Sequence, residues 1–521
     1  MYLTQSLHRA TRIHPHKLAT IYGARRHDYA TATDRVARLA GALRALGVAP
    51  GDRVGILSLN SDRYFEYFYA TWWAGAVVNP CNTRWSVAEI AYSLQDCDTQ
   101  VLLVDDTFLP KLPELRAQAS CLKTVIHCGD DPTTQDGLLR YDDLVARTAP
   151  AEERLRGGED LAGIFYTGGT TGFPKGVMLP HRALYANALT LGFTYGGDLS
   201  PLVGLHAAPM FHLADGMYLQ ALAFAGATHV MLPAFTPDAV AAAIERDKIS
   251  AALLVPTMIQ MLVDSPAAKT HDLSGLKLLM YGGSPISEAV IDRALALMPR
   301  LNMLQAYGMT EMAPVVTILP AEYHTPGEGR ARGKVRSAGK PCSICDAKIV
   351  DEDGNEVPRG TVGEIAVRGP GMMLGYWKNA IETEKAIRNG WYYTGDGAYM
   401  DADGFIFIAD RLKDMIVTGG ENVYSVEVEN AVAQHPAVLQ CAVVAIPDDR
   451  WGELVHACVV LRPGVTVTLE ELQAHCKERI ANYKIPRSMQ VIEALPMSGA
   501  GKILKNKLRE PYWAGRERRV G

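Results

Sequence analysis

Apolar and polar positions alternate along this chain with two different periods. Between Thr31 and Leu46 the residues Val36, Leu39, Ala40, Leu43 and Leu46 recur at helical spacing, and Gly47 ends the run. Arg53 to Leu59 (RVGILSL) is a short apolar run of strand type. Ser86-Val-Ala-Glu89 predicts a capping box opening the next helix, and Val101 to Val104 follows as a buried strand. The same alternation returns from Leu205 to Leu304. Repetition of this kind predicts parallel sheets joined by crossover helices.

From about residue 333 to 410 the texture changes. The runs Ala347 to Val350, Gly363 to Val367 and Gly404 to Ile408 are separated by the turn signals Asp353-Gly354, Pro358-Arg-Gly360 and Asp403-Gly404. That predicts a β-rich segment resembling a small barrel. Beyond Arg411 the pattern is mixed again, with strands at Ala442 to Ile446 and Ala457 to Leu461 and a helix at Leu469 to Ala481. This stretch is long enough to be a separate small domain. No internal repeat or low-complexity tract interrupts the pattern.

Length and charge narrow the picture. A chain of 521 residues exceeds one ordinary core. With 48% hydrophobic and 21% charged residues it is of average soluble composition. A formal net charge of −5 argues against nucleic acid as the main partner. The N-terminus lacks the apolar core of a signal peptide, and the richest apolar stretch, Leu219 to Leu232, contains Gly226 and His229. No transmembrane segment is expected, and the location expected is cytoplasmic. The nine scattered cysteines read as reduced thiols. Cys342 and Cys345 form a C-x-x-C with no second pair at zinc-site spacing. They read as two small, half-buried residues near a strand rather than a metal site.

The strongest local signal is Tyr166-Thr-Gly-Gly-Thr-Thr-Gly-Phe-Pro-Lys-Gly-Val177. Small and hydroxyl residues let backbone N–H groups approach an anion, and Thr hydroxyls and a Lys add charge-assisted bonds. A Walker A loop has the same separation as Gly169 and Lys175, but Pro174 stands where its second Gly belongs and Gly176 where its Ser/Thr belongs. The segment is a phosphate loop of another kind.

It resembles the signature loop of the adenylate-forming enzymes, which include acyl-CoA synthetases, firefly luciferase and peptide-synthetase adenylation domains; Gly168 replaces the usual Ser. Further motifs follow in the family's order. Pro209-Met-Phe-His212 resembles the segment whose His lies near the acyl site, and Tyr281-Gly-Gly-Ser-Pro285 the adenine-contacting turn. Gln305-Ala-Tyr-Gly-Met-Thr-Glu311 resembles the segment in which Thr310 meets the α-phosphate and Glu311 helps hold magnesium. Tyr393-Thr-Gly-Asp396 supplies a carboxylate for the ribose, and Asp410-Arg-Leu-Lys-Asp414 the hinge, with Arg411 on the nucleotide and Lys413 as pivot. Gly419-Gly-Glu-Asn422 resembles the thiol-tunnel loop and Ser498-Gly-Ala-Gly-Lys502 the loop with the catalytic lysine. Taken singly, His212 would be an ordinary histidine, Glu311 a helix-start acid and Lys502 a solvated loop charge; their order lifts them above that.

The resemblance implies an α/β protein. A large N-terminal domain of two α/β subdomains plus a β-barrel-like part would span 1–410, with a hinge at 411–413 and a mobile α+β domain at 414–521. It implies an ATP-dependent ligase with Mg2+ as cofactor and a carboxylic acid, ATP and coenzyme A as substrates. ATP or AMP would contact Thr167, Gly168, Gly169, Thr170, Thr171, Gly172, Lys175, Gly283, Ser284, Pro285, Ala306, Tyr307, Gly308, Asp396 and Arg411. The acyl group would contact His212, Ala214, Tyr281, Gly282, Met309, Met312 and Ala313, whose small residues and methionines suit a fatty or aryl-alkenoic chain. The thiol would pass Gly419, Gly420 and Glu421. Relatives that activate amino acids carry Phe-Asp where Phe211-His212 stands, which disfavours amino acids, though Asp215 lies nearby. With no carrier domain after residue 521, free coenzyme A is the expected acceptor. The alternatives are a carrier protein acting in trans, a luciferase-type oxygenation and a non-catalytic nucleotide sensor. A homodimer remains open.

Overall fold

The strand–helix alternation folds into two large mixed sheets. The computed structural model describes residues 1–131, 137–168, 174–196, 198–284, 286–411, 414–418, 421–448, 450–498 and 503–514. One sheet has eight strands. Val77–Pro80, Arg53–Leu57, Val101–Val104 and Thr124–His127 run parallel in it, and the antiparallel pair Leu161–Thr167 and Lys175–Pro180 lies to one side. The other has nine strands. Thr228–Met231, Val203–His206, Ala251–Leu254, Leu278–Gly282 and Asn302–Gly308 run parallel, and Val315–Leu319 returns antiparallel. The helix expected from 31 to 46 is Tyr29–Ala45, with Val36, Leu39, Ala40 and Leu43 buried. The capping box forms: the Ser86 hydroxyl accepts from the Glu89 N–H, and the Glu89 carboxylate from the Ser86 N–H.

Sequence neighbours are not always sheet neighbours. The early strand Leu18–Tyr22 joins the nine-stranded sheet beside Thr228–Met231, and Gly375–Tyr376 joins the eight-stranded sheet beside Lys175–Pro180. Helix Asp62–Trp73 lies between the sheets. Its Tyr67 hydroxyl donates to Val54 O at 2.7 Å on one, and its Phe65 ring meets His229 at 5.0 Å on the other. Every residue of this helix is buried, as a helix apolar on most faces requires. Its buried carboxylates are paired, Asp62 with Arg25 at 2.8 Å and Glu66 with Arg35 at 2.6 Å.

The β-rich segment is an antiparallel sheet of five strands: Asp346–Val350, Gly363–Arg368, Trp391–Met400, Ile387–Arg388 and Ile406–Arg411. Its pairing among the described residues is a path with a branch at Trp391–Met400. A fourth sheet, around the long hairpin Val438–Asp448 and Gly452–Leu461, carries its own core of Ile416, Val428, Val443, Val455, Val459 and Leu472. The mixed α/β architecture, with a large N-terminal and a smaller C-terminal domain, is therefore as expected. The helix expected to Ala481 stops at Lys477. Ile480 N–H still reaches Cys476 O at 2.9 Å, a last turn that is not continued. Among the described residues no helix is long and apolar enough to cross a membrane.

Candidate functional site

Antiparallel pairing fixes both ends of the glycine-rich loop. Thr167 stands opposite Lys175, and the Tyr166 hydroxyl donates to Asp96 Oδ2 at 2.6 Å. Gly168 is described; Gly169, Thr170, Thr171 and Gly172 lie outside the described residues, as do Pro285, Lys413, Gly419, Gly420 and Lys502. Lys175 emerges from its strand to pair with Glu382, and its ammonium lies 5.1 Å from the Tyr376 ring centre. Hydrogen bonds from Lys175 and Lys385 hold the Glu382 carboxyl down to about 2.

Tyr376 joins this cation to the next motif. Its hydroxyl donates to Glu311 Oε1 at 2.9 Å. Burial, and then the Glu311 charge, pushes the phenol up, so it stays a donor. Glu311 itself sits in the single helical turn Thr310–Met312, between the strands Asn302–Gly308 and Val315–Leu319. These strands approach closely: Met309 N–H donates to Pro314 O at 2.9 Å, and a Cβ at Gly308 would stand 1.8 Å from Pro314 O. Only glycine fits there. The turn is held from behind by buried Asn187, whose Nδ2 donates to Met312 O (3.0 Å) and Val315 O (3.1 Å) and whose Oδ1 accepts from Val315 N–H (3.3 Å).

The Tyr393–Asp396 motif arrives from the β-rich sheet. Asp396 Oδ2 accepts from the Tyr307 hydroxyl at 2.7 Å, and the backbone of Arg411 is its register partner. Gly283 adopts φ +83°, which lets the chain turn after Tyr281–Gly282, with Ser284 next in the bend. Gly282 stands opposite Ala306. The acyl candidates distribute over three apolar clusters. Ala214 and Ala306 pack with Met280 and Leu304, Tyr281 belongs to a second cluster, and Met309, Met312 and Ala313 to a third. The Tyr281 hydroxyl meets His324 Nε2 at 2.8 Å, and His324 Nδ1 meets Pro320 O at 3.0 Å. Burial lowers the His324 imidazole to about 4, so it is neutral, donating from Nδ1 and accepting at Nε2. His212 caps the helix Leu213–Ala225 by position and is half-buried beside Phe211. Asp215 is fully buried and meets His206 Nδ1 at 2.6 Å.

In the C-terminal domain, Glu421 is exposed and pairs in register with Thr418. Ser498, at the start of the terminal loop, offers its carbonyl to Arg84 Nη1 at 3.1 Å. The structure thus joins Lys175 to Glu311 through Tyr376, and separately Tyr307 to Asp396. It adds Tyr376, Glu382, Asn187, Arg84 and His324, which the sequence reading did not single out. Of these only Asn187 leaves a trace, a polar residue in the apolar run Ala183 to Leu191.

The chain matches the AMP-binding enzyme family over residues 7–377 and the AMP-binding enzyme C-terminal domain over residues 427–502. It is 38% identical over 512 residues to a feruloyl-CoA synthase of an Amycolatopsis species, covering 97% of this chain and 98% of that protein. It is 35% identical over 490 residues to the fatty acid–[acyl-carrier-protein] ligase ScoC of Streptomyces coeruleorubidus, covering 93% and 91%. The crystal structure of the anthranilate CoA ligase AuaEII in complex with anthranoyl-AMP superposes with a TM-score of 0.90 at 27% identity, covering 98% of this chain and 97% of that one.

Proposed function

The chain belongs to the AMP-binding enzyme family, in its acyl-CoA synthetase branch, and from that premise we propose that its acid is aryl-alkenoic, of the feruloyl type. The enzyme is an ATP-dependent, AMP-forming carboxylate–CoA ligase. What carries the choice of acid is the near full-length likeness to a feruloyl-CoA synthase. The substrate carboxylate attacks the α-phosphorus of ATP, pyrophosphate leaves, and a thiol then displaces AMP from the acyl-adenylate. Lys175 and the glycine-rich loop hold the phosphates, Thr310 the α-phosphate, and Asp396 with Arg411 the ribose. Lys502 neutralises charge as the pentavalent phosphorus forms. Lys413 is the pivot about which the C-terminal domain brings Gly419, Gly420 and Glu421 to the thiol's path.

The residues present fit magnesium. Thr310 and Glu311 offer hard oxygen donors on one turn, the kind this ion takes together with nucleotide phosphates. Glu311 would hold it, and the bound ion would neutralise phosphate charge. Tyr376, donating to one Glu311 oxygen, fixes the carboxylate.

The test is CoA-dependent AMP formation by purified enzyme against ferulate, benzoate, acetate, octanoate and palmitate. Ferulate should exceed the others in kcat/KM by about tenfold or more, the discrimination expected of roughly 1.4 kcal/mol in a shaped apolar pocket. Octanoate or palmitate in first place would support the second reading, a fatty acid, which the likeness to ScoC favours. Acyl transfer to a carrier protein but not to coenzyme A would replace the acceptor. Absence of ATP–pyrophosphate exchange with every acid would leave a nucleotide sensor.

A further inference from the structure

The C-x-x-C pair lies outside all of these roles, and the fold gives it a defined geometry. Cys342 to Cys345 form the turn between Lys340–Pro341 and Asp346–Val350, with Cys345 N–H donating to Cys342 O at 2.9 Å. Such a four-residue turn keeps its end Cα atoms within about 7 Å, which overlaps the ~4.4–6.8 Å span that a disulfide bridges. The two sulfurs converge on one acceptor, Cys342 Sγ at 3.8 Å and Cys345 Sγ at 3.6 Å from Val315 O. The Cys345 thiol also hydrogen-bonds the Cys342 sulfur. Cys345 is half-buried and lines an open surface groove with Ser343, Arg368 and Met372.

We propose that Cys342 and Cys345 are a modification site, a dithiol that closes to a disulfide on contact with a hydroperoxide and thereby disturbs the turn carrying Thr310 and Glu311. The thiolate forms at Cys342, whose thiol is held below its ordinary value by the hydrogen bond from Cys345 and by the Ile344 N–H. By contrast, burial pushes the thiols of Cys81, Cys128 and Cys441 up. Cys342 sulfur attacks one peroxide oxygen, the O–O bond breaks, and water or an alcohol leaves; Cys342 is then a sulfenic acid. Cys345 sulfur attacks Cys342 sulfur, the S–O bond breaks, the S–S bond forms, and a second water carries away the Cys345 proton. Two electrons pass from the sulfur pair to the peroxide oxygens, and a dithiol reductant reverses the step by exchange.

The coupling runs through Val315. Its carbonyl receives the two thiols and Asn187, and Val315 is the register partner of Gly308 at the base of the Thr310–Met312 turn. Closing the disulfide removes the thiol hydrogens within reach of that carbonyl.

The experiment treats full-length protein with hydrogen peroxide, blocks remaining thiols with N-ethylmaleimide and maps tryptic peptides. The peptide spanning both cysteines should carry no maleimide and be two hydrogens lighter, and dithiothreitol should restore two labels. Full labelling after peroxide, or a disulfide to a third cysteine, overturns the site. The second arm rests on the adenylation reading. Peroxide should slow acid-dependent ATP–pyrophosphate exchange by about threefold or more, reversibly, and should spare the Cys342→Ser, Cys345→Ser double variant. A mapped disulfide with unchanged exchange overturns the coupling. The labelling arm needs no substrate, so an enzyme that activates none of the acids tried leaves it fully informative.

Discussion

Asn187→Ala tests whether the turn bearing Thr310 and Glu311 is held from behind. The amide makes three hydrogen bonds to Met312 O, Val315 O and Val315 N–H. In the variant, Val315 N–H and Met312 O lose this partner in a buried place, at about 1–1.5 kcal/mol each. Val315 O keeps the two cysteine thiols nearby. The expected loss is about 3 kcal/mol, which lowers the thermal midpoint by roughly 5 °C in a domain of this size. Leu189→Ala, on the exposed side of the same helix, should cost less than about 1 kcal/mol. The functional consequence is separable. At a temperature where Asn187→Ala is fully folded, acid-dependent ATP–pyrophosphate exchange should still be about tenfold below wild type, because a loosened turn no longer presents Thr310 and Glu311 in one position. Thermal scanning and exchange assays on both variants decide it. An unchanged midpoint, or exchange at the wild-type rate in the folded variant, would refute the reasoning.

Three further outcomes are expected. Lys502→Ala should lose on the order of 10²–10³ in acyl-adenylate formation, while thioester formation from synthetic acyl-adenylate suffers far less; equal losses in both half-reactions would remove Lys502 from its role. Tyr376→Phe removes the hydroxyl donor to Glu311 Oε1 and should lower exchange about tenfold at limiting magnesium, one charged hydrogen bond's worth of about 1.5 kcal/mol, with recovery at high magnesium; an unaltered magnesium titration would count against it. Burial lowers the His324 imidazole from 6.5 to about 4, so below 6.5 the unfolded chain takes up a proton that the folded one refuses. The stability this contributes is present above pH 6.5 and is lost as pH falls toward 4, amounting to about 2 kcal/mol between pH 7 and 5. Denaturant unfolding of wild type and His324→Gln at both pH values should show the variant's pH dependence flatter by that amount.

Much of this protein is legible in local order, because local rules act over a few residues. Ser86-Val-Ala-Glu89 makes its capping box wherever it sits, since donor and acceptor lie three residues apart. The apolar spacing from Val36 to Leu43 specifies one buried helix face, and the Tyr166–Val177 segment places a glycine-rich run between two paired strands. The order of motifs then identifies the family.

What the linear pattern leaves open is which distant segments meet. Nothing in Leu18–Tyr22 says that its partner is Thr228–Met231, because a parallel pairing depends on the crossover that intervenes and not on local spacing. Tyr376 and Glu382 follow the five-stranded sheet's first two strands in sequence, yet they sit against Lys175 and Glu311 because Gly375–Tyr376 crosses to the other sheet. At 346–411 alternation and turn signals fix the strands but not which of them pair, so the branch at Trp391–Met400 is decided by the tertiary structure. The types of residue that do the chemistry are thus a property of the sequence. The neighbours that orient Glu311 and keep His324 neutral are properties of the tertiary structure, since burial and long-range hydrogen bonds supply them.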